Sequence, residues 1–299
     1  MKRKVSVIIP VLNAAGLLKR VLTSLSEQTY PQELIEIIVV DNGSSDDSVK
    51  VAKSFDVKLV TELNRKSPYA ARNIGFDHAT GSMIALTDAN KIPDKHWIEE
   101  GVAAIEAKNA DLAGGQISFE LGEKASASQI CDAVTYNNNQ FFVIEQKRSA
   151  AGNLFFKKEL LDEIGTFPDI FRSGMDIWWT AKAVNAGHKI VFAEKSVVYC
   201  QPRGLKSLLK KSWRVGVLHP VIFQQQGRSL FYILGQTFRT FAPPKVHELR
   251  QKLQKIQHPY SLANVWWVAW LNKIMMGFGR IRGLSNLSKQ IDVPPENKV

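Results

Sequence analysis

The sequence predicts an α/β fold whose core is a doubly wound parallel sheet. Continuous apolar runs that end in polar turns alternate with segments whose apolar residues recur at helical spacing. The connections between them are short, as in β-α-β units. Hydrophobic residues make up 45% of the 299-residue chain, which suffices for one large domain with an appendage or for two small domains.

The first part of the chain supplies the parallel strands. Residues 5–10 are too continuously apolar for a strand with one buried face, so they fit a strand buried on both faces. The helix that follows has its apolar residues on one side: Leu17, Leu18, Val21, Leu22 and Leu25. Residues 35–40, 57–60 and 83–86 predict the next three strands, with a polar turn and a short helix after the second.

The second part alternates less regularly. Helices are predicted at 67–75, 97–107, 126–142, 159–164, 175–184 and 205–217, the last of them basic and amphipathic. Strands are predicted at 111–117, 150–156, 190–192 and 196–199. Pro68 fits the first turn of its helix.

The turn after the fourth strand carries candidate ligands. Asp88 lies at the carboxyl end of that strand, where open α/β sheets bind ligands. Asn90 follows two positions later, and two oxygen side chains at this spacing can reach one hard cation, or a cation and a sugar hydroxyl. The turn equally suits a cap formed by Asp88 or Asn90, so by itself it leaves both interpretations open.

Basic residues are concentrated in the last third of the chain. Residues 201–299 contain 16 lysines and arginines against three acidic residues, a charge of +13; the whole chain carries +11, so residues 1–200 carry about −2. This asymmetry predicts an anionic partner: membrane lipid, nucleic acid or a phosphorylated acceptor. Nucleic acid is the weakest of these because no recognisable binding module accompanies the charge.

The cysteines and the first residues bear on the compartment. Cys131 and Cys200 are the two cysteines, which argues against a disulfide scaffold and fits a reducing compartment. Residues 1–4 are basic, but the apolar run after them contains Pro10 and stops at Asn13. That run therefore predicts a core strand rather than a signal peptide.

Several short motifs recur in a fixed order. They lie at 7–13, 39–46, 71–75, 87–90, 152–153, 165–167, 173–176 and 186–190. Over roughly residues 5–217 the chain thereby resembles the family 2 glycosyltransferases of the GT-A fold. Thr-Asp-Ala-Asn at 87–90 stands where the family has Asp-x-Asp, and 71–75 resembles its Ala-Arg-Asn-x-Gly helix start. Each motif is weak alone, and their joint order carries the resemblance.

The resemblance implies a fold and an activity. The fold is a doubly wound, Rossmann-like mixed sheet flanked by helices, with a catalytic domain at 1–217 and a basic, tryptophan-rich helical extension at 218–299. The activity is inverting transfer of a sugar from a nucleotide-sugar donor, with uridine favoured, to a hydroxyl acceptor. The Gln-x-x-Arg-Trp motif of processive members is absent, so one sugar per encounter is expected. The alternative is a degenerate GT-A domain that only binds a nucleotide sugar or glycan.

The resemblance also assigns roles to residues. Asp176 would be the general base for the acceptor hydroxyl. The donor would be bound by Pro10, Val11, Asn13, Asp41, Arg72, Asp88 and Asn90. The acceptor side would include Gly152, Asn153 and Trp178. Structural alternatives are a helix cap for Asp41 or Asp176, a surface ion pair for Arg72 and a core position for Trp178.

The metal site departs from the family pattern. Asp88 and Asn90 would be its ligands, but Asn90 replaces the second carboxylate and contributes no charge. Cys200 stands near a strand end where the family often has a histidine, and a thiol is a poor ligand for Mg²⁺ or Mn²⁺. Met175 replaces the acid before the candidate base. We expect a divalent cation to bind weakly or not at all. Either such an ion is held mostly by the diphosphate of the donor, or cationic side chains in suitable segments replace its charge: Lys91, Arg203 and Lys206.

The last third is rich in apolar aromatic residues. Residues 231–234 and 265–271 are strongly apolar, but Asn272 and Lys273 interrupt the second run, so the twenty or so apolar residues of a spanning helix are not available. Tryptophans flanked by bases suit a helix in an anionic membrane interface, and a helical pair packed on the catalytic domain is the alternative. The expectation is a cytoplasmic protein on the inner face of the membrane. Its acceptor would be a lipid-linked sugar or a polysaccharide, in cell-surface polysaccharide or glycolipid synthesis.

Overall fold

The computed structural model describes residues 2–135, 139–169, 171–254, 256 and 258–287. The chain divides into two compact units. The first comprises Met1–Ser118 with Asn139–Cys200, and the second comprises Phe119–Asn138 with Gln201–Val299. The domain boundary expected after Val217 falls inside a helix of the second unit, and that division stays a prediction.

The described residues form an eight-stranded mixed sheet. Its strands are β1 (Val5–Val11), β2 (Ile35–Asp41), β3 (Lys58–Thr61), β4 (Met83–Thr87), β5 (Lys91–Pro93), β6 (Leu112–Phe119), β7 (Asn153–Lys157) and β8 (Ile190–Cys200). They lie in the order β3-β2-β1-β4-β7-β6-β8-β5. Parallel pairs join β3, β2, β1 and β4, whereas β7 pairs antiparallel with β4 and β6, and β5 pairs antiparallel with β8. The predicted parallel half and the mixed sheet are both confirmed.

The helices follow in chain order. They are α1 (Ala15–Ser26), α2 (Ser48–Ala52), α3 (Pro68–His78), α4 (Trp97–Ala107), α5 (Ala127–Thr135), α6 (Asn139–Ile144), α7 (Leu160–Ile164), α8 (Met175–Asn185), α9 (Leu205–Gln225), α10 (Leu230–Arg239), α11 (Val246–Leu253) and α12 (Leu262–Leu284). The helix expected at 126–142 corresponds to α5 and α6, and its residues 136–138 lie outside the described residues.

Two strand predictions need correction. The strands expected at 190–192 and 196–199 are one continuous strand, β8, which passes through the exposed residues Glu194 and Lys195. Ladder hydrogen bonds join main-chain groups, so polar side chains at an exposed position do not interrupt the strand. The three-residue strand β5 was not predicted, because it follows a polar turn directly and depends on pairing with the distant β8.

Helix α3 packs closely against β1 in the parallel half of the sheet. Ile8 and Ile9 are fully buried in β1, which lies between β2 and β4. Gly75 of α3 lies so near that a Cβ atom there would come within 2.4 Å of Ile8 Cγ2. Pro68 and the N-cap Ser67, whose hydroxyl accepts a hydrogen bond from the Tyr69 backbone, fix where α3 begins. The first turn of α3 therefore has a defined position.

The second unit is built around two long helices. The α9 and α12 backbones approach closely, because a Cβ at Gly216 would lie 2.2 Å from the Met276 carbonyl oxygen and one at Gly279 would lie 2.3 Å from that of Trp213. Asn272, which interrupts the apolar run of the sequence, is buried and hydrogen-bonded to Ser212. Within the described ranges, no helix combines the length and hydropathy needed to span a bilayer.

We expect Gly279→Ala to lower the free energy of unfolding by about 1–3 kcal/mol, because the added methyl group would overlap the α9 backbone. Urea denaturation followed by tryptophan fluorescence measures this change. Gly235→Ala is the matched control, since Gly235 lies in α10 with open space around its Cβ position. The control should be neutral or stabilising by up to about 1 kcal/mol. Equal effects of the two substitutions would contradict the close helix contact.

Candidate active site

The site begins where the parallel strands end. Val11, the last residue of β1, pairs with Asp41, the last residue of β2, and β4 ends one residue before Asp88. The carboxyl ends of parallel strands meet at one edge of the sheet, which is where α/β folds bind ligands. Pro10 and Val11 lie at this edge. The backbone carbonyl of the buried Val11 accepts a 2.8 Å hydrogen bond from the Asn42 backbone N–H.

Asp41 shapes the turn that follows β2. Its buried carboxylate accepts hydrogen bonds from the backbone of Gly43 at 3.1 Å and Ser44 at 3.2 Å. Asn13 has a φ of 52° and joins the neighbouring turn, because its side-chain oxygen accepts a 2.7 Å bond from the Ser45 backbone. Asp41 thus closes the turn and does not cap the following helix, because the N-cap of α2 is Asp47. Each carboxylate oxygen has two lone pairs, so this does not exclude a ligand.

Asp88 is held between two buried cations. Arg72 Nη2 lies 2.5 Å from Asp88 Oδ1, and Lys91 Nζ bonds to Asp88 Oδ2. The Arg72 and Lys91 side chains are only 5% and 7% exposed, whereas Asp88 is 31% exposed. Arg72 is therefore ion-paired, but in a buried cluster and not on the surface. The cluster of Arg72, Asp88 and Lys91, here called the cation cluster, carries one excess positive charge.

Gly152 makes room for one of these cations. A Cβ atom at Gly152 would lie 2.5 Å from Lys91 Cε and 2.7 Å from its Nζ. The Thr87 hydroxyl lies 3.4 Å from the carbonyl oxygens of both Gly152 and Lys91, which ties the end of β4 to the segment before β7. Gly152 was predicted to lie on the acceptor side. In the structure it packs closely against the Lys91 side chain.

Asn153, which directly follows Gly152, lies in the protein interior. It is fully buried, its side-chain oxygen accepts a 2.8 Å bond from Trp97 Nε1, and its amide donates at 2.9 Å to the carbonyls of Gln116 and Ser196. The side-chain amide thus uses both of its N–H groups and one lone pair of its oxygen within the protein. Asn153 thereby holds the start of β7, directly after Gly152, and its assignment to the acceptor side stays a prediction.

Asp176 lies in the first turn of α8 with both carboxylate oxygens engaged. Oδ1 accepts a 2.9 Å hydrogen bond from the Tyr69 hydroxyl, and Oδ2 accepts a 2.8 Å bond from the Ala151 backbone. The N-cap of α8 is Gly174, so the capping alternative for Asp176 is not what is found. Burial, together with the adjacent Asp176 carboxylate, raises the pKa of Tyr69 well above its ordinary value, so Tyr69 stays a proton donor.

Tyr69 links this carboxylate to the cation cluster. Its ring lies 5.6 Å from the guanidinium carbon of Arg72, while its hydroxyl binds Asp176. Sequence reasoning missed Tyr69. The available signal was its position three residues before Arg72 in the same helix, a spacing that puts two side chains on one face.

Two buried nitrogens in the neighbourhood lack partners. Within the described ranges, the buried side-chain nitrogens without a hydrogen bond are Arg72 Nε and Trp178 Nε1. Trp178 is largely buried, with Lys182 Nζ 5.5 Å from its ring centroid. Trp179 is a core residue whose indole donates to the Gly165 carbonyl at 2.7 Å. An unpaired buried donor is costly, so Arg72 and Trp178 are candidates to bind a ligand.

The residues do not fit a divalent cation in this arrangement. Both oxygens of Asp88 are engaged by cations, and Asn90 is exposed without a second acid beside it. Over the described part of the chain, no group of three or more His, Cys, Asp or Glu side chains is arranged to hold a metal ion. Arg203, a predicted replacement cation, forms a 3.2 Å ion pair with the buried Asp132.

Comparison with known proteins identifies the family. Residues 6–166 match the profile described as Glycosyl transferase family 2. The chain belongs to this family. Glycosyltransferase AglE of Haloferax volcanii is 31% identical over 93% of this chain and 95% of its own length. Because the chain belongs to this family, the protein is a glycosyltransferase, as the motifs predicted.

More distant relatives and solved structures agree on the fold. Poly(ribitol-phosphate) beta-N-acetylglucosaminyltransferase TarS of Staphylococcus aureus is 25% identical over 67% of this chain, and the match spans 36% of TarS. The structure of TarS residues 1–349 superposes with a TM-score of 0.56 at 18% identity, covering 95% of this chain and 89% of that one. Mannosyltransferase PcManGT from Pyrobaculum calidifontis, solved with GDP-Man and Mn²⁺, gives 0.54 at 18% identity, covering 97% and 77%. The GT-A fold is thereby confirmed.

We expect Tyr69→Phe to lower the rate of glycosyl transfer by about 10- to 100-fold, because Asp176 loses the hydroxyl that orients it. The Michaelis constant for the donor should change little, which separates a positioning role from a binding role. Steady-state kinetics measure both. Tyr30→Phe is the matched control, since Tyr30 is also buried and donates its hydroxyl to the Arg3 carbonyl at 2.6 Å. Equal losses in both variants would contradict a specific role for Tyr69.

Proposed function

We propose that this glycosyltransferase is non-processive and inverting, and that it moves one sugar from a nucleotide-sugar donor to an acceptor hydroxyl. The observation that carries the proposal is the contact of Tyr69 with both Arg72 and Asp176. Tyr69 thereby connects Arg72, a cation suited to a diphosphate, with Asp176, a carboxylate suited to act as a general base. Inversion by a single displacement needs these two functions together.

The donor would occupy the edge formed by the ends of β1, β2 and β4. Asp41 and Asn13 would contact the base or ribose, and the excess positive charge of the cation cluster would attract the diphosphate. The unpaired Nε of Arg72 supports an anionic ligand, since it is a buried donor in need of an acceptor. A uridine donor is favoured, and TarS has been solved with UDP-GlcNAc.

Asp176 would act as the base. Each of its oxygens accepts one hydrogen bond and keeps a further lone pair, so one can receive the proton of the acceptor hydroxyl. The hydroxyl oxygen attacks the anomeric carbon while the bond to the diphosphate oxygen breaks, and the departing diphosphate takes that electron pair. Trp178 would donate its unpaired indole N–H to the acceptor sugar.

We further propose that the second unit binds an anionic membrane surface from the cytoplasmic side, and that the acceptor is lipid-linked or a polysaccharide. On α12, exposed apolar side chains recur on one face: Trp267, Leu271, Phe278 and Ile281. On α10, Phe231 and Phe238 are exposed seven residues apart, Phe231 at 87%. Exposed aromatic residues in a segment of charge +13 favour a bilayer with anionic headgroups over other occupants.

We expect Asp176→Asn to keep nucleotide binding and to lower turnover by about two to four orders of magnitude, since the amide cannot accept the acceptor proton. A thermal-shift panel of nucleotide sugars first finds the donor, because a ligand of the native state raises the unfolding temperature. Turnover is then measured with that donor. Asp162→Asn, at an exposed position of α7, is the control. Wild-type turnover in Asp176→Asn would exclude its role as base. Donor binding without turnover in the wild type would favour the degenerate alternative.

We expect the paired substitutions Trp267→Ser and Phe278→Ser to reduce flotation with phosphatidylglycerol vesicles at low salt several-fold, because they remove apolar area from the α12 face. Added salt should weaken binding of the wild type by screening its charge. Leu63→Ser is the control, since Leu63 is an equally apolar residue, 68% exposed, in the first unit. A wild type that does not float with these vesicles, or paired variants that float as it does, would contradict the proposed surface.

A further inference from the structure

We propose that Lys91 replaces the divalent cation in this chain, so that binding and departure of the diphosphate depend on the Lys91 ammonium together with Arg72. This inference rests on the proposed function and adds a catalytic residue to it. It predicts that transfer proceeds without a divalent metal ion.

The first argument is that the Lys91 charge is held in place. Its side chain is 7% exposed, its ammonium binds Asp88 Oδ2, and its stem packs against the main chain at Gly152. Even an alanine at residue 152 would overlap Lys91 Cε and Nζ. A lysine fixed in this way loses little conformational freedom on binding an anion, in contrast to a lysine on the surface.

The second argument is that a metal ion would have to compete with this charge for Asp88. Asp88 is the acid of the turn, and both its oxygens already bind cations, Arg72 and Lys91. A divalent ion on Asp88 would therefore share its oxygens with two buried cations and would be repelled by their positive charges. Asn90 would add a neutral oxygen at most.

The third argument comes from the strand that pairs with β5. Lys91 is the register partner of Cys200, the last residue of β8. Cys200 is buried, and a thiol is a poor ligand for Mg²⁺ or Mn²⁺. At this pair of positions the chain thus has a buried cation beside a neutral side chain. That combination suits an anion better than a hard metal ion.

In the transfer step, Lys91 would donate N–H hydrogen bonds to the diphosphate and remain protonated. The electron pair of the broken bond stays on the diphosphate oxygen, and the proton of the acceptor hydroxyl passes to Asp176. Lys91 supplies charge and hydrogen bonds, and no proton, metal or further reactant is consumed.

The experiment compares the wild type, Lys91→Met and Lys95→Met in excess chelator and in Mn²⁺. Lys95 is the matched control, since it is an exposed lysine four residues further along the chain. The measurements are UDP affinity by calorimetry, transfer rate with the donor found above, and Mn²⁺ binding to the nucleotide-free protein by electron paramagnetic resonance. We expect chelator to change the wild-type affinity and rate less than about 2-fold. We expect Lys91→Met to lower both by about 10²-fold and Lys95→Met to leave them unchanged.

A gain-of-function variant tests the same inference from the other side. Lys91→Met combined with Asn90→Asp removes the internal cation and adds a carboxylate, so Mn²⁺ should restore at least about 10-fold of the lost UDP affinity. The wild-type measurements in chelator do not depend on how well any variant folds.

The outcomes separate the two proposals. Three results would each overturn the role of Lys91 while the proposed function stands. One is wild-type transfer that chelator abolishes and Mn²⁺ restores. The others are tight Mn²⁺ binding by the nucleotide-free wild type and equal effects of Lys91→Met and Lys95→Met. A wild type that binds no nucleotide and transfers no sugar, with or without Mn²⁺, would overturn both.

Discussion

The ion pairs of Asp88 with Arg72 and Lys91 are the interaction on which the site depends. Asp88 follows β4, the strand that pairs in parallel with β1 and antiparallel with β7, so it stands where the two halves of the sheet join. Arg72 comes from the helix that precedes β4, and Lys91 from the short strand that follows it. One carboxylate thereby links α3 to β5. Loss of either cation would leave a partly buried charge with fewer partners, which is costly in a protein interior.

Supporting contacts below and beside Asp88 explain why this geometry is defined. Gly75 lets α3 lie against Ile8, which sets the height of Arg72 over the sheet, and Gly152 leaves the space that the Lys91 side chain fills. Asn153 then holds β7 by its hydrogen bonds to Trp97, Gln116 and Ser196. Gly75, Gly152 and Asn153 bear no charge. Their effect on the cation cluster comes from where they hold its charged side chains.

The sequence predicted the parallel strands and the presence of Arg72, Asp88 and Asp176 near functional motifs, because buried strands and strand-end turns are signalled by neighbouring residues. It did not predict β5, the contact of Tyr69 with Asp176, or the engagement of both Asp88 oxygens. Tyr69 and Asp176 are 107 residues apart, and Lys91 pairs with Cys200 across 109, so no local pattern reveals either contact. The motifs also marked Asn153 without distinguishing a residue that faces a ligand from one that supports the strand beneath it.

The cation cluster lowers the stability of the protein by burying positive charge, and this property favours an anionic ligand. Two buried cations share a single carboxylate, and Arg72 Nε remains without an acceptor, so the arrangement is under-neutralised in the absence of a ligand. Buried positive charge of this kind lowers stability unless an anion approaches it. A metal ion would add to the imbalance, whereas a diphosphate would correct it and satisfy the unpaired nitrogen. Because Asp88 competes with that anion for the same two cations, it also limits how tightly the product is held. An internal carboxylate between two fixed cations therefore suits a site that must bind a diphosphate in each cycle and release it again.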